Sequence, residues 1–159
     1  MNSVQLFQSI FLLPANLYGP KDDFSEATSH VIPALIKRCV EAKKSGSNEL
    51  LVWGTGRATR EFLYVKDAAR AVVDAAEKYN STEPVNIGTG AEVSIRELVE
   101  RIRELTGFTG ALKWDHSKPD GQPRRCLDTS RARNAFGFEA KVQLEDGLRE
   151  TIDWYLSQN

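Results

Sequence analysis

The chain has 159 residues, a length that suits a single domain able to bury a core without disulfide support. Its composition, 41% hydrophobic and 27% charged, is ordinary for a soluble globular protein. A net charge of -1 gives no electrostatic reason to expect a nucleic-acid partner or an anionic membrane surface.

The N-terminal segment predicts a strand and no membrane signal. Residues 1–13 carry no lysine or arginine, and polar residues interrupt their apolar side chains, so we expect neither a signal peptide nor a bilayer span. Residues 10–13 form a continuous apolar run before Pro14, which predicts a strand buried in a parallel sheet. Such a strand, if left unpaired, is an edge that attracts a partner. Residues 16–28 are rich in turn and loop residues.

Four helices follow from apolar residues that recur at helical spacing. The first covers about residues 31–44, and the third begins near residue 95, where Ser94 and Glu97 form a capping box, and ends at Gly107. Ser130 is the predicted cap of a further short helix. The apolar stripes are Ile32, Leu35, Ile36, Cys39 and Val40; Val65, Ala68, Ala69, Val72, Val73 and Ala76; Ile95, Leu98, Val99, Ile102 and Leu105; and Leu144, Leu148, Ile152 and Tyr155.

Short extended segments alternate with these helices, which indicates an α/β fold. The predicted strands cover residues 50–53, 60–64, 84–87 and 111–114, and residues 118–122 form a polar turn. The sequences Gly54-Thr55-Gly56 and Gly88-Thr89-Gly90 complete neither a P-loop nor a dinucleotide fingerprint, so we interpret both as turns.

The cysteines and histidines argue against a disulfide framework and a metal site. Cys39 and Cys126 are the only cysteines, and without paired spacing both are expected to be packed thiols in a reducing compartment, with the cytoplasm as the default. His30 and His116 are the only histidines, and no histidine, cysteine or carboxylate cluster has metal-ligand spacing. We therefore expect no metal chemistry.

Two polar residues stand near predicted element ends. Asn16 directly follows the buried strand, at the carboxyl edge where ligands of open α/β sheets bind, although it also suits hydrogen bonding within a turn. His30 precedes a helix, where composition alone favours a surface or capping residue over a functional one.

Four cations on separate segments are candidates for a nucleotide diphosphate site, with an aromatic residue beside them. Guanidinium groups bind phosphate oxygens bidentately, and a tryptophan face covers a sugar or base. Asp120, in a turn, suits a sugar hydroxyl or a guanine edge as well as it suits an ordinary turn. Sequence spacing does not show that the set converges. Its members are Arg38, Arg60, Lys118 and Arg124, with Trp53.

Several motifs resemble one family. Asn16-Leu17-Tyr18-Gly19-Pro20, Trp53-Gly54-Thr55-Gly56, Arg60-Glu61-Phe62 and Asn86-Ile87-Gly88 are similar to motifs of nucleotide-sugar epimerases and dehydratases in general. Ser29-His30-Val31-Ile32-Pro33 and Ser117-Lys118-Pro119-Asp120-Gly121 narrow the resemblance to the GDP-L-fucose synthase family, which are extended short-chain dehydrogenase/reductases.

The resemblance implies an activity and a set of roles. The family epimerises GDP-4-keto-6-deoxy-D-mannose at C3 and C5 and reduces C4 with NADPH, and His30 would be the acid that works opposite a cysteine. Lys37 would replace Arg38 if the helix register is shifted. By the same resemblance, Pro14, Ala15, Asn16, Leu17 and His30 would lie along NADP, and Asn16, Arg38, Trp53, Arg60, Lys118 and Asp120 would hold the GDP-sugar.

The departures from the family pattern limit what this chain is expected to do alone. It has no glycine-rich fingerprint, Tyr-x-x-x-Lys pair, catalytic serine or base cysteine, so we expect a C-terminal substrate lobe that lacks most of the Rossmann cofactor domain. Residues 1–159 would form one domain, with 1–20 a remnant of the cofactor sheet and 21–159 the lobe. Residues 5–10 look like an insertion. A complementary N-terminal cofactor domain or a homo-oligomer is the expected partner.

Two alternatives remain open at this stage. One is a non-catalytic module that keeps the fold for nucleotide-sugar binding or assembly, in which case the candidate cations would be dispersed or covered. The other is part of a UDP- or dTDP-sugar epimerase or dehydratase, which would prefer uridine to guanosine diphosphate.

Overall fold

The computed structural model describes residues 9–158, which form a mixed α/β fold. Within that range no helix is long and apolar enough to cross a membrane. The helices are α1 Val31–Lys44, α2 Val65–Lys78, α3 Ile95–Thr106, α4 Ser130–Phe136 and α5 Leu144–Gln158. The strands are β1 Leu12–Pro14, β2 Asn16–Tyr18, β3 Glu49–Trp53, β4 Thr59–Arg60, β5 Phe62–Tyr64, β6 Val85–Ile87, β7 Val93–Ser94, β8 Ala111–Asp115 and β9 Arg124–Arg125.

The strands pair mostly in parallel and across long stretches of sequence. β1 pairs with β6, β2 with β5 and β3 with β8, all in parallel. A three-stranded sheet has the order β7-β4-β9, in which β4 is antiparallel to β7 and parallel to β9. Parallel neighbours need crossover connections, and most of the helices lie in these connections.

Local signals set the ends of α3 as the sequence predicts. The Ser94 hydroxyl accepts a hydrogen bond from the Glu97 backbone N–H at 3.1 Å, which satisfies one of the unpaired donors of the first turn. Gly107 ends the helix in the left-handed region, with φ at 68°. The predicted helix over residues 31–44 is also confirmed, as α1.

Two hydrophobic clusters make up the core. The larger one joins α1, α3 and α5 over β3, and includes the fully buried Ile36, Cys39 and Leu98. The smaller one packs α2 and α4 around Leu63 and Val85. Cys39 is a packed thiol, as predicted, and burial raises its pKa to about 11.

The first strands differ from the prediction. The strand occupies Leu12–Pro14 and includes the proline that was expected to stop it. The Phe11 carbonyl and the Ala15 N–H bond to β6, so by alternation the nitrogen of Pro14 points away from β6, where no donor is needed. The expected loop over residues 16–28 begins instead with β2, which is too short to show a period in the sequence.

Several smaller predictions are corrected. The strand predicted over residues 60–64 is split at Glu61 into β4 and β5. Thr129 takes the cap position of α4, where Ser130 was predicted, and the Asp128 carboxylate accepts the Ser130 N–H. The insertion proposed at residues 5–10 lies mostly outside the described residues, as do most of the residues considered for a membrane signal.

The predicted buried faces of β1 and α2 are partly exposed. Leu13 is 50% exposed, and Val72 and Val73 are more than half exposed. The buried face of α2 is formed by alanines, including Ala71 and Ala75, which pack onto the smaller cluster. An apolar surface on one side of the fold is therefore uncovered in the described chain.

Candidate functional site

One cavity of about 660 Å³ collects most of the candidate residues. It lies beside the start of α1, at the start of β2 and the end of β3. Four of the predicted residues do not line it: Pro14, Arg38, Lys118 and Arg124. The predicted residues that line it are Ala15, Asn16, Leu17, His30, Trp53, Arg60 and Asp120.

Asn16 is held in place by a strand neighbour. Its backbone pairs with Phe62 across the parallel β2 and β5 strands. Its side-chain amide donates to the Glu61 carbonyl, with Nδ2 2.8 Å from the oxygen. Asn16 lines the cavity and no described residue donates to its amide oxygen, so this oxygen can accept a hydrogen bond from a ligand hydroxyl.

His30 occupies the N-cap position of α1, and its side chain makes no capping hydrogen bond. Its backbone is extended, with ψ at 172°, which suits the residue that precedes the first helical turn. The side chain is exposed at the cavity. The capping role suggested by composition therefore does not occupy the imidazole.

Trp53 ends β3 at the cavity and is unusually open for an aromatic residue. Its side chain is 65% exposed, and the Lys118 ammonium lies 5.5 Å from its ring centroid. A broad aromatic face with a cation beside it can cover a base or sugar while the cation binds a phosphate. Lys118 thus stands next to the cavity although it does not line it.

Arg38 and Lys37 are directed elsewhere. The Arg38 guanidinium donates to the Leu51 carbonyl on β3. Lys37 lines a different cavity, beside Trp154, and pairs with Glu41 at 3.9 Å. Neither cation reaches the main cavity, so the predicted role of this helix in binding a ligand has no geometric support.

Arg60 lines the cavity without an acidic partner. Its Nη1 donates to the carbonyls of Thr59 and Gln122, at 2.7 and 2.6 Å. No ion pair of Arg60 is found among residues 9–158. These two carbonyls hold the group and do not neutralise it, so its charge is available to an anion.

Arg124 is paired with an acid. Its Nε donates to the Glu92 carboxylate at 2.8 Å, and Nη2 contacts the same oxygen. The hydroxyl of Thr59 donates to the other oxygen of Glu92 at 2.6 Å. Arg124 is therefore neutralised. Of the four cations proposed from the sequence, Arg60 is the one that lines the cavity.

Asp120 closes a turn at the cavity edge. It accepts the Thr55 backbone N–H at 2.6 Å and also the Thr55 hydroxyl. These hydrogen bonds hold the pKa of the Asp120 carboxyl below its ordinary value. Gly54 is required beside it, because a Cβ there would lie 2.3 Å from Asp120 Oδ1 and φ is +82°.

Glu61 is a site residue that the sequence analysis missed. Its side chain is 1% exposed, and Oε1 accepts the N–H groups of Thr89 and Gly90 at 2.6 and 2.8 Å. Oε2 accepts the Leu127 N–H at 2.7 Å. Its place in the Arg60-Glu61-Phe62 motif is the signal that the sequence offers, since the three bonding partners are distant in sequence.

No group of histidine, cysteine and acidic side chains that could hold a metal ion occurs in the described part of the chain. Cys126, the second thiol, is half-buried near Leu127.

A separate, almost wholly apolar cavity of about 340 Å³ lies on the exposed side of β1 and α2, where Leu12, Pro14 and Leu17 contribute to its lining.

Comparison with known proteins places these features in one family. Residues 3–88 match the NAD dependent epimerase/dehydratase family. The chain is 52% identical over 144 residues to GDP-L-fucose synthase 1 of Arabidopsis thaliana, covering 91% of this chain and 44% of the relative. The chain therefore spans less than half the length of this curated relative, and the predicted resemblance is confirmed.

Solved structures show the same fold. A GDP-L-fucose synthetase from Naegleria fowleri, bound to NADP, matches with a TM-score of 0.88 at 31% identity, over 94% of this chain and 47% of that one. A UDP-glucose 4-epimerase from Thermotoga maritima, solved with UDP-glucose, matches with a TM-score of 0.81 at 30% identity, over 92% and 45%.

Proposed function

Since this chain belongs to the NAD dependent epimerase/dehydratase family, we propose that it is the GDP-sugar-binding portion of a GDP-L-fucose synthase. The whole enzyme would convert GDP-4-keto-6-deoxy-D-mannose to GDP-L-fucose by 3,5-epimerisation and NADPH-dependent reduction at C4. The observation that carries the proposal is the single cavity that brings Asn16, His30, Trp53 and Arg60 together.

The charges and shapes around this cavity suit a nucleoside diphosphate sugar. Arg60 would bind the diphosphate, because its guanidinium lacks an acidic partner among the described residues. Lys118 would add a second positive charge beside Trp53, whose exposed face would cover the base or sugar. The Asn16 amide oxygen would accept a hydrogen bond from a sugar hydroxyl. Arg60 in the cavity and Lys118 beside Trp53 support a binding site, whereas Arg38 and Arg124 are directed elsewhere.

His30 would act as the acid during epimerisation. A proton next to a ketone is acidic enough for a general base, and reprotonation from the opposite face needs a second group that titrates near neutral pH. The His30 imidazole lies at the cavity and does not serve as a helix cap, so it is placed to give a proton to the sugar. The opposing cysteine of the family pattern would come from outside this chain.

The residues present fit NADP only in part. The main cavity, where a nicotinamide would have to meet the sugar, is lined by Ala15, Asn16 and Leu17. Pro14 instead lines the separate apolar cavity beside β1 and α2. The cofactor would supply the hydride for C4 reduction. The chain has no glycine-rich dinucleotide fingerprint, so we expect NADP binding to need a second polypeptide segment.

An uncovered apolar surface supports a partner for this chain. Phe11, Leu13, Val72 and Val73 are each at least half exposed, and the apolar cavity lies beside them. We propose that residues 1–20 belong with a complementary cofactor domain, which would cover this surface, and that 21–159 form the substrate lobe. A second copy of the chain is the other occupant to test.

Calorimetric titration with GDP, and with UDP as the comparison, tests the nucleotide assignment. We expect binding of GDP alone, with loss in Arg60→Ala and retention in Arg149→Ala, which removes an exposed cation on α5. A preference for UDP would favour a UDP-sugar enzyme instead. No binding of either nucleotide would contradict the proposed site.

A fusion tests the proposed activity. The N-terminal half of the Arabidopsis relative, joined ahead of this chain, is expected to oxidise NADPH in the presence of GDP-4-keto-6-deoxy-D-mannose. His30→Asn in the fusion should abolish turnover and retain GDP affinity. A fusion that folds and binds GDP yet never oxidises NADPH would contradict the fucose assignment.

A further inference from the structure

The register of β4 and β9 divides two adjacent arginines between opposite faces of the sheet. Thr59 pairs with Arg124, and Arg60 pairs with Arg125. Directly paired residues on neighbouring strands share a face, and the next residue along each strand lies on the other. Arg125 therefore lies on the face of Arg60.

Hydrogen bonds identify the two faces independently. Glu92 accepts from both Thr59 and Arg124, so these three side chains meet on one face. Arg60 lines the main cavity on the opposite side, together with Ala58 and Phe62, which follow the same alternation. Arg125 is thus on the cavity face, whereas Arg124 is not.

The two cavity-face arginines are unneutralised. Arg125 is exposed, and no ion pair involves it in the part of the chain that the structure describes. Arg60 is bonded only to backbone carbonyls there. Neighbouring strands lie about 4.8 Å apart, so the register brings two residues with long guanidinium side chains of like charge together on one face. Such a pair is suited to an anion with two charged centres.

We propose that Arg125 is a second phosphate-binding residue, which together with Arg60 binds the diphosphate of the sugar nucleotide. The inference rests on the proposed function, since the diphosphate is that of the GDP-sugar. Each guanidinium offers paired N–H donors to oxygens on one phosphorus, and the adjacent strands place two such groups in register.

A pair of matched variants tests this assignment. Arg125→Gln and Arg124→Gln remove the same charge from adjacent positions of one strand, one on each face. We expect Arg125→Gln to weaken GDP binding in calorimetry by about tenfold or more, and guanosine binding to be unchanged. Arg124→Gln should keep GDP affinity within about twofold, since Glu92 already neutralises this residue. Circular dichroism melting of both variants checks that the fold is retained.

The outcomes separate this inference from the proposed function. Wild-type GDP affinity in Arg125→Gln, or an equal loss in Arg124→Gln, would overturn the role of Arg125 and leave the GDP assignment standing. Titration with inorganic pyrophosphate covers the case in which the chain does not bind GDP. Wild-type binding of pyrophosphate, lost in Arg125→Gln, would support the paired arginines even if GDP does not bind. Failure to bind either anion would overturn both.

Discussion

The Glu61 carboxylate accepts the Thr89 backbone N–H, with Oε1 2.6 Å from the nitrogen. The same side chain also bonds to Gly90 and Leu127, and its carbonyl accepts the amide of Asn16. A buried carboxylate is stable when several donors satisfy it, and these three donors are backbone N–H groups. The Glu61 side chain therefore connects two loops, at residues 89–90 and at Leu127, to the strand that carries Arg60.

Glu61→Gln is expected to destabilise the protein by about 2–3 kcal/mol. The amide keeps the shape, but its NH₂ group would face a backbone N–H and leave a buried donor unpaired. Urea unfolding measures the difference. Glu49→Gln is the control, because Glu49 is exposed and makes no side-chain hydrogen bond or ion pair among residues 9–158. Equal stability of the two variants would show that Glu61 does not connect the loops.

Gly88→Ala is expected to destabilise by about 1–3 kcal/mol through a clash. A Cβ at Gly88 would lie 2.1 Å from Glu61 Oε1. In a Glu61→Ala background this clash is absent, so the cost of Gly88→Ala should fall sharply in a double-mutant cycle.

Gly46→Ala is the control for this cycle. Nothing lies within 4 Å of a Cβ there, and its cost comes only from the left-handed φ of +69°. It should therefore cost the same in both backgrounds. If Gly88→Ala also costs the same in both, the contact with Glu61 is not the cause.

Trp53→Ala is expected to weaken GDP binding by about tenfold with little loss of stability. The side chain is 65% exposed, so its removal sacrifices little packing, whereas the proposed ligand loses its aromatic contact. Leu51→Ala, on the same strand and 49% exposed, should change neither quantity appreciably. Calorimetry and thermal melting measure both effects, and unchanged GDP affinity in Trp53→Ala would remove this residue from the site.

Glu92 is expected to make the stability depend on pH. Hydrogen bonds from Arg124 and then Thr59 lower the pKa of the Glu92 carboxyl in the folded state. Its contribution is therefore complete above the ordinary pKa of a glutamate and is lost as the pH falls through the lowered folded value.

Glu92→Gln should accordingly be less stable than the wild type at pH 7, and the gap should narrow in acid. Urea unfolding at a series of pH values measures this gap. Glu49→Gln provides the comparison at each pH, and a gap for Glu92→Gln that stays constant from neutral to acid pH would refute the linkage.

Local signals account for what the sequence predicts about the fold. Helix α3 is bounded by Ser94 and Gly107, both readable within one turn of the helix end. Strand β2 is missed because three residues show no period and its partner Phe62 is distant in sequence. The predicted strand over residues 60–64 is interrupted at Glu61. The sequence does not reveal this interruption, because the Glu61 side chain bonds to Thr89 and Leu127, which are distant in sequence.

The candidate site shows the same limit. Residue types and resemblance suggest Asn16, Trp53 and Arg60, which do line one cavity. They also suggest Arg38, whose guanidinium is held by the Leu51 carbonyl. They also suggest Arg124, which pairs with Glu92, because the face on which an arginine lies depends on a strand register that spacing does not reveal.

The strand pairings also set the order in which the chain can assemble during synthesis. Phe62 emerges in time to pair with Asn16, and Val85 then joins Leu12, but Glu49 has no partner until Ala111 has left the ribosome. β9 is the last strand to be made. The cavity edge at Arg60 therefore stays incomplete until β9 has been translated, because β9 is the parallel partner of β4.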